Sequence, residues 1–178
     1  RGEVDAFAAL SHGRTEASID SGLFEQEIVP VTISSRRGDV VVTHADEDHV
    51  VRGTTAETLS GLRPAFGPES LVTAGNASGV NDGAAALILM RRSEAENRGL
   101  TPLAAVHGHA THAQAPAWFT TAPVGAMEKL AEKVGWELAD VDLFEINEAF
   151  AVVTMAAMRD LDLPHDKVNV HGGACALG

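Results

Sequence analysis

Val72-Thr-Ala-Gly-Asn-Ala-Ser-Gly-Val-Asn-Asp-Gly-Ala-Ala-Ala-Leu-Ile-Leu-Met90 is the most informative stretch of the chain. Between Gly75 and Gly83, three glycines alternate with small polar residues, so the backbone there can approach a ligand closely and offer amide donors. Ser78 adds a hydroxyl suited to an amide-containing arm. A plain glycine-rich turn feeding a strand is the competing reading, because glycine marks turns more often than sites. Either way the run ends in Ala84 to Met90, an apolar segment of the length of a buried strand.

Downstream of it, Arg91 to Arg98 reads as a helix closed by Gly99, and Pro102 to Ala113 as a strand. Thr121 to Val134 places Val124, Met127, Leu130, Ala131 and Val134 on one helical face, with Pro123 in the first turn and Gly135 after the end. Val141 to Ile146 is a predicted strand, Asn147-Glu-Ala-Phe150 opens a helix running to Arg159, and Lys167 to Val170 begins another strand. This alternation of strand and helix from residue 102 onward predicts an α/β layered fold, which places ligands at strand ends.

Upstream, Asp5 to Ser21 reads as one helix. Glu27 to Ile33 and Asp39 to Thr43 are β-branched runs joined by Ser34-Ser-Arg-Arg-Gly38, a hairpin in which Pro30 favours an edge position. Between Ala45 and Ser70 the chain is polar, with a short helix expected at Thr55 to Leu62 and an acidic run, Asp46 to Asp48, read as solvated surface.

Composition narrows the functional classes. The 178 residues carry a formal charge of −12 and no tyrosine, which argues against a nucleic-acid footprint or an anionic membrane surface. No apolar stretch reaches the length of a membrane span and Arg1 to Asp20 has no signal-peptide pattern, so a cytoplasmic protein is expected. The single cysteine, Cys175, excludes an internal disulfide framework. The start at Arg1 suggests an excerpt or a processed product.

Asn147 falls where a strand hands over to a helix, where its amide can hold a water or an oxygen gaining charge; capping the helix is the alternative. Glu148 reads either as a general base or as an exposed first-turn glutamate favoured by the helix dipole. His107, His109 and His112 cluster, but no cysteine or carboxylate ligand is close, and a metal site is not expected.

Together, the motifs at 72–86, Asn147 to Phe150 and Asn169-Val-His-Gly-Gly-Ala-Cys-Ala-Leu-Gly178 resemble three signatures of the thiolase family, in the family's order. Similarity extends through Asp5 to Phe7, Glu27 to Pro30, Arg37-Gly-Asp39 and Arg63-Pro-Ala-Phe66. The resemblance implies a thiolase-like α/β fold, part of a duplicated βαβαβ layered architecture with a loop-domain segment. On that basis residues 1–80 would be the latter part of the coenzyme A-binding loop domain. Residues 81–98 would be the last strand of the N-terminal domain with its linker, and residues 99–178 the first half of the C-terminal domain.

The resemblance further implies acyl transfer between coenzyme A thioesters, thiolytic or condensing, by a ping-pong route through a cysteine thioester. Coenzyme A is then a substrate or product, and no other cofactor is expected. Ala74, Ala77 and Ser78 would line the pantetheine arm, Asn147 would fix an oxyanion-hole water, and Phe150 would flank the acyl pocket. Acyl-CoA partners and a homo-oligomer, dimer or tetramer, follow from the same likeness.

Two departures qualify it. The family's nucleophilic cysteine belongs before this stretch, while its His-Pro-x-Gly histidine and its Cys-x-Gly cysteine belong after it. The 178 residues alone are therefore expected to be inactive, and a non-catalytic acyl-CoA or lipid carrier is the rival reading. Cys175 stands where the family has a small apolar residue and is not expected to be a nucleophile. Between His112 and Val124 the family's Met-Gly-x-Gly-Pro pattern is replaced by a run containing Trp118 and Phe119, so Phe119 would form part of the acyl wall. Arg36, Arg37, Arg52 and Arg63 are candidates for the coenzyme's phosphates, Arg52 foremost because it lies in the polar loop.

Overall fold

The computed structural model describes residues 1–34, 36–42 and 50–178; the acidic run Asp46 to Asp48 lies outside them. Helix α1 spans Gly2–Asp20. The hairpin pairs β1 (Val31–Ile33) antiparallel with β2 (Val40–Val42), Val31 opposite Val42. Helix α2 (Ala56–Ser60) starts at Thr55, whose hydroxyl accepts from the Thr58 amide while the Thr58 hydroxyl accepts from Thr55, a reciprocal cap. Then come α3 (Arg92–Asn97), α4 (Ala122–Val134), α5 (Ala151–Asp160) and α6 (Ala174–Leu177). Helix α4 ends as its sequence indicates: Gly135 adopts the left-handed conformation, φ 72°, in which its amide reaches the Ala131 carbonyl.

Two hydrophobic clusters sit on either side of α5. Val4, Phe7 and Ala8 of α1, Leu59 of α2, Ala151 and Cys175 form one. Phe144, Ile146, Ala157, Leu163 and Val168 form the other. Ala151 and Ala157 are fully buried, and their small side chains let α5 approach both.

The strands expected at Val141 to Ile146 and Lys167 to Val170 meet as one parallel bridge, Phe144 with Val168, the Asn169 amide donating to the Phe144 carbonyl at 2.9 Å. Helix α5 is the crossover between them, a strand–helix–strand unit of the α/β class. The expected strands at Ala84 to Met90 and Pro102 to Ala113 are not formed. Both segments lack ladder partners among the described residues, and a strand exists only through its pairing. Leu87, Ile88 and Leu89 remain about four-fifths or more exposed.

The helix opening at Asn147 is also displaced: α5 begins at Ala151 with Phe150 as its cap residue. Asn147 is therefore not a helix cap. Glu148 is neither exposed nor in a first turn; it is among the most deeply buried side chains of the described residues.

Candidate functional site

Helix α1 buries an unusually polar face: Asp5, Ser11, His12, Thr15 and Ser18 lie against the rest of the fold. Each of the two site-forming segments takes hold of part of it.

Asp5 takes the glycine-rich run. One carboxylate oxygen accepts from Arg1 Nε at 2.7 Å and the other from Asn76 Nδ2 at 2.9 Å. Asn76 closes its own turn by accepting the Thr73 amide at 2.8 Å. Its carbonyl accepts the Ala151 amide at 2.9 Å, and the Ser78 amide donates to the Ala149 carbonyl at 3.1 Å. Ala77 and Phe150 thereby form an antiparallel bridge. The amides of Gly75, Asn76 and Ser78 are thus spent inside the protein. Gly75 is a glycine for packing, since a Cβ there would stand 2.6 Å from Leu62 Cδ1 and also collide with Leu59. Outward the run presents Ala74, Gly79 and Val80, which are exposed, with the half-buried Ala77 and Ser78.

Ser11 takes the second segment. Its hydroxyl donates to Glu148 Oε2 at 2.7 Å and accepts the Gly173 amide at 3.0 Å. The same Glu148 oxygen accepts the Cys175 amide at 3.0 Å, and Oε1 accepts Asn169 Nδ2 at 2.8 Å. Asn169, held at φ 48° where asparagine is tolerated better than most residues, also accepts the Ile146 amide and donates to the Ile146 carbonyl, each at 2.8 Å. Ile146 and Glu148 are clamped on both sides of Asn147, which itself points to solvent.

Electrostatics follow from burial. The Cys175 thiol is pushed far up, first by desolvation and then by the charge of the adjacent Glu148 carboxylate, so it is not poised as a thiolate. His12 and His165 are held below the usual imidazole range, in both cases mainly by burial. Glu145 is raised by desolvation, with His171 opposing.

The structure thus brings Ala77, Ser78, Asn147 and Phe150 to one place. Phe119 joins them, its ring centroid 6.1 Å from that of Phe150. Phe66 does so too, edge-on at 6.0 Å, a neighbour that sequence reasoning passed over although it closes the Arg63-Pro-Ala-Phe66 segment. Arg52 is not brought in: it pairs with Asp20 at 3.0 Å at the far end of α1, about 20 Å of helix rise from Asp5. His107 lies against Trp136 at 5.3 Å, and the described residues contain no group of three metal-ligating side chains.

A family model described as "Thiolase, N-terminal domain" matches residues 1–93, and one described as "Thiolase, C-terminal domain" matches residues 100–178. The chain belongs to the thiolase family. An acetyl-CoA acetyltransferase from Paracoccus denitrificans is 49% identical over the whole chain, which covers 45% of that protein. A probable acetyl-CoA acyltransferase from Staphylococcus aureus is 46% identical, with 45% of it covered. Among solved structures, the Bacillus anthracis acetyl-CoA acetyltransferase superposes with a TM-score of 0.95 at 45% identity, and human mitochondrial 3-ketoacyl-CoA thiolase with 0.93 at 39%. The match takes in 99% of this chain and 44% of each of those. The chain thus spans about 45% of the length of the curated relatives it matches. The thiolase fold accounts for the α/β class.

Proposed function

We propose that this chain contributes the coenzyme A-facing and oxyanion-binding parts of a thiolase that transfers acyl groups between coenzyme A thioesters, by thiolytic cleavage of a 3-ketoacyl-CoA or the reverse condensation. The observation that carries the reading is Asn147. Its exposed amide stands between two clamped neighbours, three residues before the Phe150 that bridges to Ala77.

A carboxamide in that setting can donate to a water, or to an oxygen that gains charge as a thioester carbonyl is attacked. Ala74 and Ala77 offer an apolar surface for the pantetheine arm, and the Ser78 hydroxyl can accept from one of its amides. Phe66, Phe119 and Phe150 wall the acyl end. Arg52 would meet the phosphates only if the ligand reached to the Asp20 end of α1. Coenzyme A is substrate and product here, with no further cofactor.

Within these 178 residues the one thiol is Cys175, whose burial beside Glu148 unfits it as a nucleophile. Turnover therefore calls for a cysteine outside this segment, and the segment alone is inactive in this reading. The segmental division at residues 80 and 98, a homo-oligomeric assembly and a cytoplasmic location belong to the same reading. Among the described residues no helix is long and apolar enough to cross a membrane.

The test is acetoacetyl-CoA thiolysis by the full-length protein and its N147A variant. A fall in kcat of roughly 10²–10³-fold is expected on removal of one oxyanion-hole donor. An N147A enzyme as fast as wild type, or a full-length protein that binds coenzyme A thioesters without turning them over, would overturn the reading; the second result would mark an acyl-CoA carrier.

A further inference from the structure

The acyl-transfer reading uses Asn147 and leaves its neighbour Glu148 without a task, although Glu148 is 1% exposed. Among the described residues no lysine or arginine forms an ion pair with it. Its two oxygens are met by donors alone: Ser11 Oγ, the Cys175 amide and Asn169 Nδ2. Neither oxygen can take a donor in its place. On Oε2 the Cys175 backbone amide can only donate, and Ser11 Oγ, which accepts the Gly173 amide, gives its single proton to Glu148. Asn169 has its oxygen on the Ile146 amide and its nitrogen on the Ile146 carbonyl, so turning its carboxamide over would break both bonds. A glutamine at 148 would have to face its own NH₂ toward one of these donors in either orientation. The site is built for a group that only accepts, which is a carboxylate.

These bonds join α1, the turn at Asn169 and the start of α6 to the single residue that follows Asn147. Asn169 alone spans Asn147, bonding Ile146 before it and Glu148 after it. Asn147, by contrast, makes no side-chain hydrogen bond among the described residues. The backbone on either side therefore sets the direction of its Cα–Cβ bond, and that backbone is held by Asn169 at Ile146 and by the carboxylate network at Glu148.

We propose that Glu148 is a positioning residue of the thiolase reaction, aiming the Asn147 carboxamide by locking the peptide between Ile146 and Ala149. This rests on the role given to Asn147 under the proposed function. Glu148 touches no substrate. It acts through Asn147, so its removal harms the chemical step rather than the binding of the coenzyme A thioester.

The experiment is a double-mutant cycle in the full-length protein, with kcat and KM for acetoacetyl-CoA measured for E148Q, N147A and the pair, and thermal melts run alongside. E148Q is expected to lower kcat by about 10- to 100-fold, the penalty of a small misplacement, with KM changed by less than about threefold. In the N147A background the same substitution is expected to change kcat little, because the group it aims is gone. If the two losses multiply, or if E148Q raises KM and spares kcat, Glu148 does not act through Asn147 and the inference falls while the acyl-transfer reading stands. If N147A itself leaves kcat unchanged, the acyl-transfer role of Asn147 falls first and the inference with it. Should E148Q fail to fold, Ser11→Ala, which removes one donor and adds no misfit, is carried through the same cycle. Non-additivity with N147A supports the inference, and a simple product overturns it.

Discussion

Gly173→Ala is the sharpest structural test of this arrangement. Gly173 has an extended backbone, φ −155° and ψ −165°, which alanine adopts without strain, so any cost is steric. A Cβ there would stand 2.5 and 2.6 Å from the two Glu148 oxygens. An ordinary van der Waals separation is about 3.5 Å, so the carboxylate must retreat by close to ~1 Å. Retreat breaks or stretches bonds made to a charged group, worth about 1.5–3 kcal/mol each, and overpacking adds about 1–3 kcal/mol. Taking one lost bond and the lower overpacking figure gives about 2.5 kcal/mol, a large part of the roughly 5–15 kcal/mol that keeps a domain folded.

Gly13→Ala is the control. Gly13 lies in the middle of α1, exposed, and a methyl group added to it would meet nothing within 4 Å, so alanine should stabilise by up to about 1 kcal/mol through helix propensity. Urea unfolding followed by far-ultraviolet circular dichroism, with linear extrapolation, measures both. A Gly173→Ala cost below about 1 kcal/mol would mean that the carboxylate is not fixed against this turn, and the account of Glu148 would fail with it.

Stability should fall on mild acidification, because His12 and His165 have folded pKa values below the unfolded value of 6.5. The unfolded chain then binds protons first, and stability is lost as pH drops through 6.5 toward the folded values. Glu145, raised from 4.5, acts oppositely above that pH; a His12→Gln/His165→Gln variant whose melting temperature keeps the same slope between pH 7 and 5.5 would contradict the assignment. Cys175 should resist a thiol reagent in the native state and react on the order of 10²-fold faster in urea, since the buried thiol must be exposed first; equal rates would show an open thiol. Phe66→Ala removes the edge-on partner of Phe150, a contact of about 0.5–1.5 kcal/mol, and should raise KM for acetoacetyl-CoA by about 2- to 10-fold in the full-length protein. An unchanged KM would remove Phe66 from the acyl wall.

Periodicity sufficed for α4, where apolar spacing, Pro123 and Gly135 all agree, and for the hairpin, where two β-branched runs flank a turn. It misjudged what its rules do not weigh. Ala84 to Met90 has the composition of a buried strand, but a ladder needs a neighbour, and composition says nothing about whether one lies alongside. Helix α1 was legible as a helix, yet its buried side is largely Asp5, Ser11, His12, Thr15 and Ser18, and an amphipathic reading assigns such residues to solvent. Glu148 was misplaced for a related reason. Its donors come from positions 11, 169 and 175, and no local window contains them. The thiolase signatures located Asn147 and Phe150 in the chain; only the fold shows that Phe66 shares their corner.

Buried polar networks can often be exchanged for apolar groups of similar volume without loss, because both partners go together. That exchange is closed at Glu148. One of the donors to Glu148 is a backbone amide, that of Cys175, and no substitution at 148 removes it; the Gly173 amide beside it is taken by Ser11, whose own proton goes to Glu148. Once the Gly172–Gly173 turn is seated on α1, an acceptor must stand opposite. The seating itself is tight, since a Cβ at Gly172 would lie 2.7 Å from the Thr15 amide and 2.9 Å from the Ser11 carbonyl. Glu148→Met, close in volume, should therefore destabilise by about 2–5 kcal/mol, leaving donors buried without partners, while Glu148→Gln, which retains one acceptor oxygen, should fall between it and wild type. Urea melts of the three proteins give the order directly. A methionine variant as stable as wild type would show that water or a shifted turn satisfies the Cys175 amide, the Ser11 hydroxyl and the Asn169 carboxamide, and the carboxylate would then owe its place to the aiming of Asn147 alone.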